Sequence, residues 1–478
     1  MKMLQMLSRY ALVGAAAVTT LLACKKDKKD GGPNAEQNKY VNEWIYANMK
    51  EMYYWSANIP ASPDYKQTPP AFFSALLKKP EDRYSWIQDN FEELLASLSG
   101  VSKESGLEYD LFLVGNQPSY LAGIVEYVKK GSPAAAAGIV RGDVFIEVNG
   151  QPVAYTGKQS EVNAFVDKLG ANHTLGIRKV VKDSKGEDSL TAAKAVPLTV
   201  LELAENPVYL DSVYTIEGQK IGYFMYNFFA PDKGDESASY DNQVDAVFGR
   251  FKAAGVKHLV LDLRYNPGGD SRSTINLGSN IVKGLDPAKE FFHRDFNPTL
   301  QAALKAEYGE SYFISKFTAE ANNIGNNLTS FIILTSSGSA SASELIINGL
   351  RPYMNVYLIG DTTEGKNLGS FTLYEENDPR NKWGMQPIVS RAFNSLNQSD
   401  YSNGFAPQEK YVETLNLGVL GDIREPLLNK ALTKILGHAP ARMAKTDAPG
   451  SRTIMRKVGT SRSFKAYSGL LTEQFPRK

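Results

Sequence analysis

The chain has a single cysteine, Cys24, among 478 residues, and only four histidines. One cysteine excludes an internal disulfide. None of His173, His258, His293 and His438 falls in a recognisable triad motif. No His/Cys/carboxylate cluster has ligand spacing, so no metal and no other cofactor is implied. An excess of either charge is also missing, since 53 Lys+Arg against 52 Asp+Glu leave +1. With no basic stripe interleaved with aromatics, nothing points to nucleic acid. What remains, at 42% hydrophobic and 22% charged residues, is a largely soluble globular chain, too long for one ordinary core and expected to form two or three domains.

The N-terminus carries an address. Lys2 and Arg9 mark a charged start, and Tyr10 to Ala23 are almost wholly apolar or small. That run is short for a membrane span but fits a signal peptide, residues 1–23. Its end, Leu21-Leu22-Ala23-Cys24, resembles a bacterial lipobox, which implies acyl chains on Cys24 and a place in the cell envelope, facing the periplasm or the cell surface. Residues 24–37 include Lys25-Lys26-Asp27-Lys28-Lys29-Asp30-Gly31-Gly32-Pro33, a charged Gly/Pro-rich tether that cannot build a core. Several acyl chains would make such an anchor stable.

Residues 38–100 read as a small helical domain, with apolar residues at helical spacing in 42–49 and 72–77 and prolines at 60, 63, 69 and 70 between them. Trp44, Tyr53, Tyr54, Trp55 and Trp86 suit either packing of that domain or an aromatic sugar platform. Residues 101–204 change to short strands and turns, with Asn149-Gly150 a strong hairpin signal. Residues 205–440 alternate strands, at 220–226, 258–263, 331–334 and 356–360, with helices such as 241–254, which predicts an α/β sheet with its function at strand ends. Residues 441–478 turn polar and basic, without a period that demands structure.

Three segments carry the chemistry. Ser339-Ala340-Ser341-Ala342-Ser343-Glu344 follows one strand and opens a helix. A serine there lies beside free backbone amides that can stabilise an oxyanion, although Ser341-x-x-Glu344 is also a capping box. Arg264-Tyr265-Asn266-Pro267-Gly268-Gly269 follows a second strand and bares backbone amides. Gly365-Lys366 follows a third. With no histidine in place, a buried lysine is the economical base, because burial disfavours its charge.

Gly131-Ser132-Pro133-Ala134, Ala137-Gly138-Ile139, Gly142-Asp143-Val144-Phe145 and Val148-Asn149-Gly150 resemble a PDZ domain. Its peptide-binding loop would be Gly106-Leu107-Glu108-Tyr109, with ligands added as a strand to a sheet edge. Combined with Asp262 to Gly269, Ser339 to Glu344 and Gly365-Lys366, the chain resembles the C-terminal processing, or tail-specific, serine peptidases. The resemblance implies a multidomain α/β protein: a small helical N-terminal domain, a β-rich PDZ domain and an α/β core of crotonase/ClpP-like type. It implies Ser341 as nucleophile, Lys366 as general base, and an oxyanion hole from Ala342 N–H with an amide at Gly268 or Gly269. Glu344 would support the helix start. The expected partner is a polypeptide, gripped by its C-terminal segment.

Two positions depart from the family pattern. Glu364 stands where an aromatic is frequent, and a carboxylate near Lys366 would raise its pKa. Ser370 stands where a lysine-positioning Gln is frequent, with shorter reach. Both leave room for an alternative, a catalytically weak or inactive lipoprotein that binds peptides or other ligands at the cell surface.

Overall fold

The computed structural model describes residues 35–115, 119–184, 186, 188–413, 417–440, 457–464 and 471–473. Cys24 and the signal segment lie outside the described residues. The first helix, α1 (Ala35–Met52), begins inside the stretch assigned to the tether, where Ala35, Glu36 and Gln37 are good helix formers. Val41, Ile45, Met49 and Met52 recur at helical spacing and are buried against Phe72, Phe73 and Leu76 of α2 (Pro69–Leu76). Trp44 and Tyr53 are buried in the same cluster and Tyr54 and Trp55 pack on it, so these aromatics are core. That core is shared, because Phe296, Leu300, Phe371 and Ile388, far along the chain, belong to it. Trp86 opens a short strand, Trp86–Gln88, that pairs with Gly384–Gln386.

The second unit is an antiparallel sheet of β1 (Leu107–Val114), β2 (Ser119–Val128), β3 (Val144–Val148), β4 (Gln151–Tyr155), β5 (His173–Arg178) and β6 (Lys194–Leu198). Helix α3 (Gln159–Leu169) covers it, burying Val162 and Phe165 against Leu111, Leu121, Phe145 and Leu175. Asn149 and Gly150 both take positive φ, 55° and 75°, as the β3–β4 hairpin requires.

The third unit is built on a six-stranded sheet. Strand β7 (Val208–Ile216) pairs antiparallel with β8 (Gln219–Tyr226). Then β9 (His258–Asp262), β13 (Ser330–Thr335), β14 (Tyr357–Gly360) and β17 (Glu409–Lys410) follow in parallel. Phe224, Leu259, Leu261, Phe331 and Ile333 face a layer made by α4 (Ser239–Ala254), α5 (Ser271–Ile281) and α6 (Ala342–Leu350). Their neighbours Tyr223, Met225, Val260, Ile332 and Leu334 face Leu427, Leu428, Ala431 and Leu432 of α7 (Pro426–Leu436). Burial on both faces is why these strands read as continuous apolar runs.

A further sheet takes the order β10 (Gly269–Asp270), β19 (Leu471–Glu473), β15 (Leu368–Phe371), β16 (Ile388–Asn394), β11 (Glu290–Phe296) and β12 (Ile314–Lys316). Strand β18 (Lys457–Thr460) joins the second unit instead, on the free edge of β1. The polar segment after residue 440 therefore holds two strands where no structure was expected. Main-chain pairing supplies their order, and it needs no side-chain period.

Candidate active site

Strands β9, β13 and β14 run parallel and end on one edge of the sheet. The loops that follow them are stitched together by short polar side chains. Ser339 Oγ donates to Leu263 O at 2.7 Å, Ser343 Oγ to Asn266 O at 3.0 Å, and Glu364 N–H to Ser339 O at 3.0 Å. Small residues are needed here, because a Cβ on Gly365 would lie 2.4 Å from Ser402 O. The segments singled out in the sequence are thus brought together. A cavity of about 470 Å³ opens at the opposite end of the sheet, by His258 and Ser330 at the strand starts, and is no part of this site.

Ser341 is the N-cap of α6 and holds φ 59° and ψ −109°. A left-handed conformation in a non-glycine residue costs on the order of 1–3 kcal/mol and persists only where the surroundings impose it. Its side chain is buried, and Oγ has no hydrogen-bond partner among the described residues. Ala342, the first helical residue, has no intrahelical acceptor for its N–H. An unpartnered nucleophile beside a free helix N-terminus can attack a carbonyl and leave the resulting oxyanion facing a donor.

Glu344 does more than start the helix. Its Oε2 accepts the Ser341 N–H at 2.9 Å and the Lys366 N–H at 2.7 Å, while Oε1 accepts Thr363 Oγ1 at 2.6 Å and Gly365 N–H at 2.7 Å. Because one oxygen takes both, the Ser341 and Lys366 nitrogens can be no more than 5.6 Å apart. Burial raises the Glu344 carboxyl to about 6, against the pull of those hydrogen bonds. The i, i+3 spacing shows the cap but gives no hint of the partners across the loop.

Lys366 is 1% exposed. Desolvation lowers its pKa to about 7, opposed in decreasing order by Asp82, Glu344 and Glu364. A lysine held there is substantially neutral near pH 7 and can accept a proton. Asp82 and Tyr84 went unnoticed in the sequence. Tyr84 puts its ring 5.0 Å from Lys366 Nζ. Asp82 is fully buried and is held by Tyr53 Oη at 2.7 Å and Ser85 Oγ at 2.5 Å. The N-terminal helical unit therefore supplies one wall of the lysine's site.

Glu364 lies near Lys366 as feared but is the weakest of the three opposing charges. It is part-exposed and pairs with Arg83 at 3.7 Å. Ser370 Oγ donates to Leu471 O at 3.3 Å. Gly268 N–H donates to Asn266 Oδ1 at 2.9 Å, so Gly268 drops out as an oxyanion donor in this structure. Gly269 is fixed by close backbone approach, since a Cβ there would sit 2.0 Å from Phe229 O.

The loop Gly106-Leu107-Glu108-Tyr109 begins as expected, with Gly106 at φ 91°, but Leu107 to Tyr109 are already strand. Tyr109 N–H is occupied by Ser461 Oγ at 2.9 Å, and Glu108 is fully buried and ion-paired to Lys129 at 3.3 Å.

The fold thus joins a helical unit, an antiparallel sheet module and an α/β core whose loops gather Ser341, Glu344 and Lys366. Comparison with known proteins agrees. Residues 40–86 match the peptidase S41 N-terminal domain, 124–179 a PDZ domain and 220–407 peptidase family S41. In chain order these matches give a helical N-terminal unit, a PDZ domain and an S41 peptidase core, the arrangement the structure shows. It is 26% identical over 281 residues to a carboxyl-terminal-processing protease of Picosynechococcus, covering 58% of each chain. It is 24% identical over 327 residues to the carboxy-terminal processing protease CtpB of Bacillus subtilis, covering 65% of this chain and 58% of that one. It thus spans well under two thirds of these curated relatives. A solved structure from Bacteroides fragilis assigned to the S41 proteases superposes with a TM-score of 0.68 at 25% identity, over 82% of this chain and 97% of that one.

Proposed function

We propose that the chain is a serine endopeptidase acting on C-terminal regions of polypeptides through a Ser341–Lys366 dyad. The carrying observation is Lys366, buried and lowered to about 7 while tied through Glu344 to the turn that bears Ser341. Neutral Lys366 takes the proton of Ser341 Oγ as the oxygen attacks the peptide carbonyl. The Ala342 N–H stabilises the oxyanion, with Gly269 as the second candidate donor. Protonated Lys366 returns the proton to the leaving amine, and water resolves the acyl-enzyme. The PDZ module grips the substrate's tail by strand addition.

Casein and a tailed reporter protein test this. Ser341→Ala should abolish cleavage, and cleavage that persists unchanged sinks the assignment. The weak or inactive alternative is supported by Ser370 being engaged with Leu471 and by Glu364 opposing the neutral form of Lys366; a wild-type chain that binds a tailed peptide without cutting it would establish that alternative. We also infer that Cys24 carries the acyl anchor of an envelope lipoprotein, on the strength of Leu21-Leu22-Ala23-Cys24. Cys24→Ser should move the protein from the membrane to the soluble fraction of expressing cells, and an unchanged distribution would overturn it.

A further inference from the structure

We propose that the chain's own late segment, in its two described stretches 457–464 and 471–473, is an intramolecular ligand of the peptide path, so that the intact protein competes with its substrates. The proposal rests on the peptidase reading for what that path is, and it names an occupant for it.

The first contact is at the PDZ edge. Strand β18 adds antiparallel to β1, pairing Gly459 with Leu111 and Thr460 with Asp110. Strand β1 leaves the Gly106–Tyr109 loop, so this is the edge on which a peptide ligand of such a module is added. The chain direction then carries Ser461 to the loop, where its Oγ accepts from Tyr109 N–H at 2.9 Å and donates to Glu108 at 2.6 Å. Arg462 follows, 3% exposed, pairing with Glu126 at 2.6 Å and lying 5.1 Å from the centre of the Tyr265 ring. Tyr265 belongs to the same loop as Gly268 and Gly269. A cavity of about 140 Å³ remains between β1 and α3, with Ser461 at its rim.

The second contact lies in the cleft. Strand β19 lies between β10 and β15, parallel to both, with Leu471 paired to Gly269 and Thr472 to Asp270 and Ser370. One neighbour starts at the glycine pair and the other begins two residues after Lys366. Leu471 is buried in the cluster that holds Ala342 and Leu345. An extended peptide in this slot has its backbone satisfied on both sides, so a substrate must displace β19 to occupy the same place.

The contacts also state the chemistry of what fits: an extended segment that places a Ser-Arg pair, with the hydroxyl between Glu108 and Tyr109 N–H and the guanidinium between Glu126 and Tyr265.

The test uses the full chain carrying Ser341→Ala, so that binding is read whether or not the enzyme cuts. A fluorescent peptide spanning residues 457–473 is titrated by anisotropy. A tethered ligand acts at an effective concentration on the order of mM, so the intact chain should bind the peptide at least about tenfold more weakly than the same chain carrying Arg462→Glu, in which the tail is ejected. A second form ending at residue 456 should match the ejected form, and a peptide with Arg462→Glu should lose affinity for both. Equal affinity across intact, Arg462→Glu and shortened forms, or no binding to any of them, overturns the proposal. In the Ser341 background the tailed reporter's KM should fall with kcat unchanged when Arg462→Glu is introduced. Loss of cleavage alone would count against the peptidase reading and leave the binding result standing.

Discussion

Replacing Lys366 with Met should destroy the enzyme and strengthen the fold. Met keeps the length and most of the volume of the side chain, so little cavity is left. In the folded chain desolvation holds Lys366 at about 7, whereas the ordinary value is 10.5. The folded pKa is depressed, so the unfolded chain binds the extra proton between those two values. Folding is then penalised fully below pH 7, and the penalty fades as pH rises toward 10.5. At about 1.4 kcal/mol per pH unit the gap corresponds to about 4–5 kcal/mol. Lys366→Met should therefore raise stability by several kcal/mol at pH 6, by about as much at pH 7, and by almost nothing near pH 10.5. Urea unfolding of both proteins at those pH values is the measurement. A Met variant no more stable at pH 6, or one whose advantage does not shrink with pH, would refute the account of a lysine kept neutral by burial.

Cleavage itself should follow the same group in the opposite sense: kcat/KM should rise with pH along an acid limb centred near pH 7, because only the neutral lysine takes the proton. Glu344→Ala would leave four buried donors without an acceptor; at roughly 1–3 kcal/mol for each unsatisfied group before relaxation, a loss of about 3 kcal/mol or more in urea unfolding is expected, together with loss of activity. Gly269→Ala drives a Cβ to 2.0 Å from Phe229 O at φ +136° and should cost about 3 kcal/mol or more, visible as a large fall in Tm; a change under about 1 kcal/mol would show that the strand pairing described here is not the working one.

The parallel strands, the PDZ hairpin and the loops carrying Ser341 and Lys366 were legible because each is local, in apolar runs, turn residues and small residues after strands. Glu344 was seen only as a cap, since a capping box and a carboxylate bridging two loops share one spacing. Asp82 and Tyr84 were invisible because their relation to Lys366 is purely tertiary; Tyr84 meets Glu364 across 280 residues of chain. Gly268 misled because a glycine pair after a strand advertises bare amides, and only the structure shows Asn266 turning back to take one of them. The two late strands carry no periodic signature, since their order comes from backbone pairing and the contacts of Lys457 and Leu471 that help to hold them are purely tertiary.

The shared core of the N-terminal helices has a consequence for the life of the nascent chain. Asp82 and Tyr84 are made early, whereas Lys366 and the sheet they close over are made hundreds of residues later. Contacts so distant in sequence form late in folding. Until they form, Lys366 is wetted, charged and unable to act as a base. On the dyad reading an unfinished polypeptide is therefore chemically silent, and a working base arrives only with the last long-range closure.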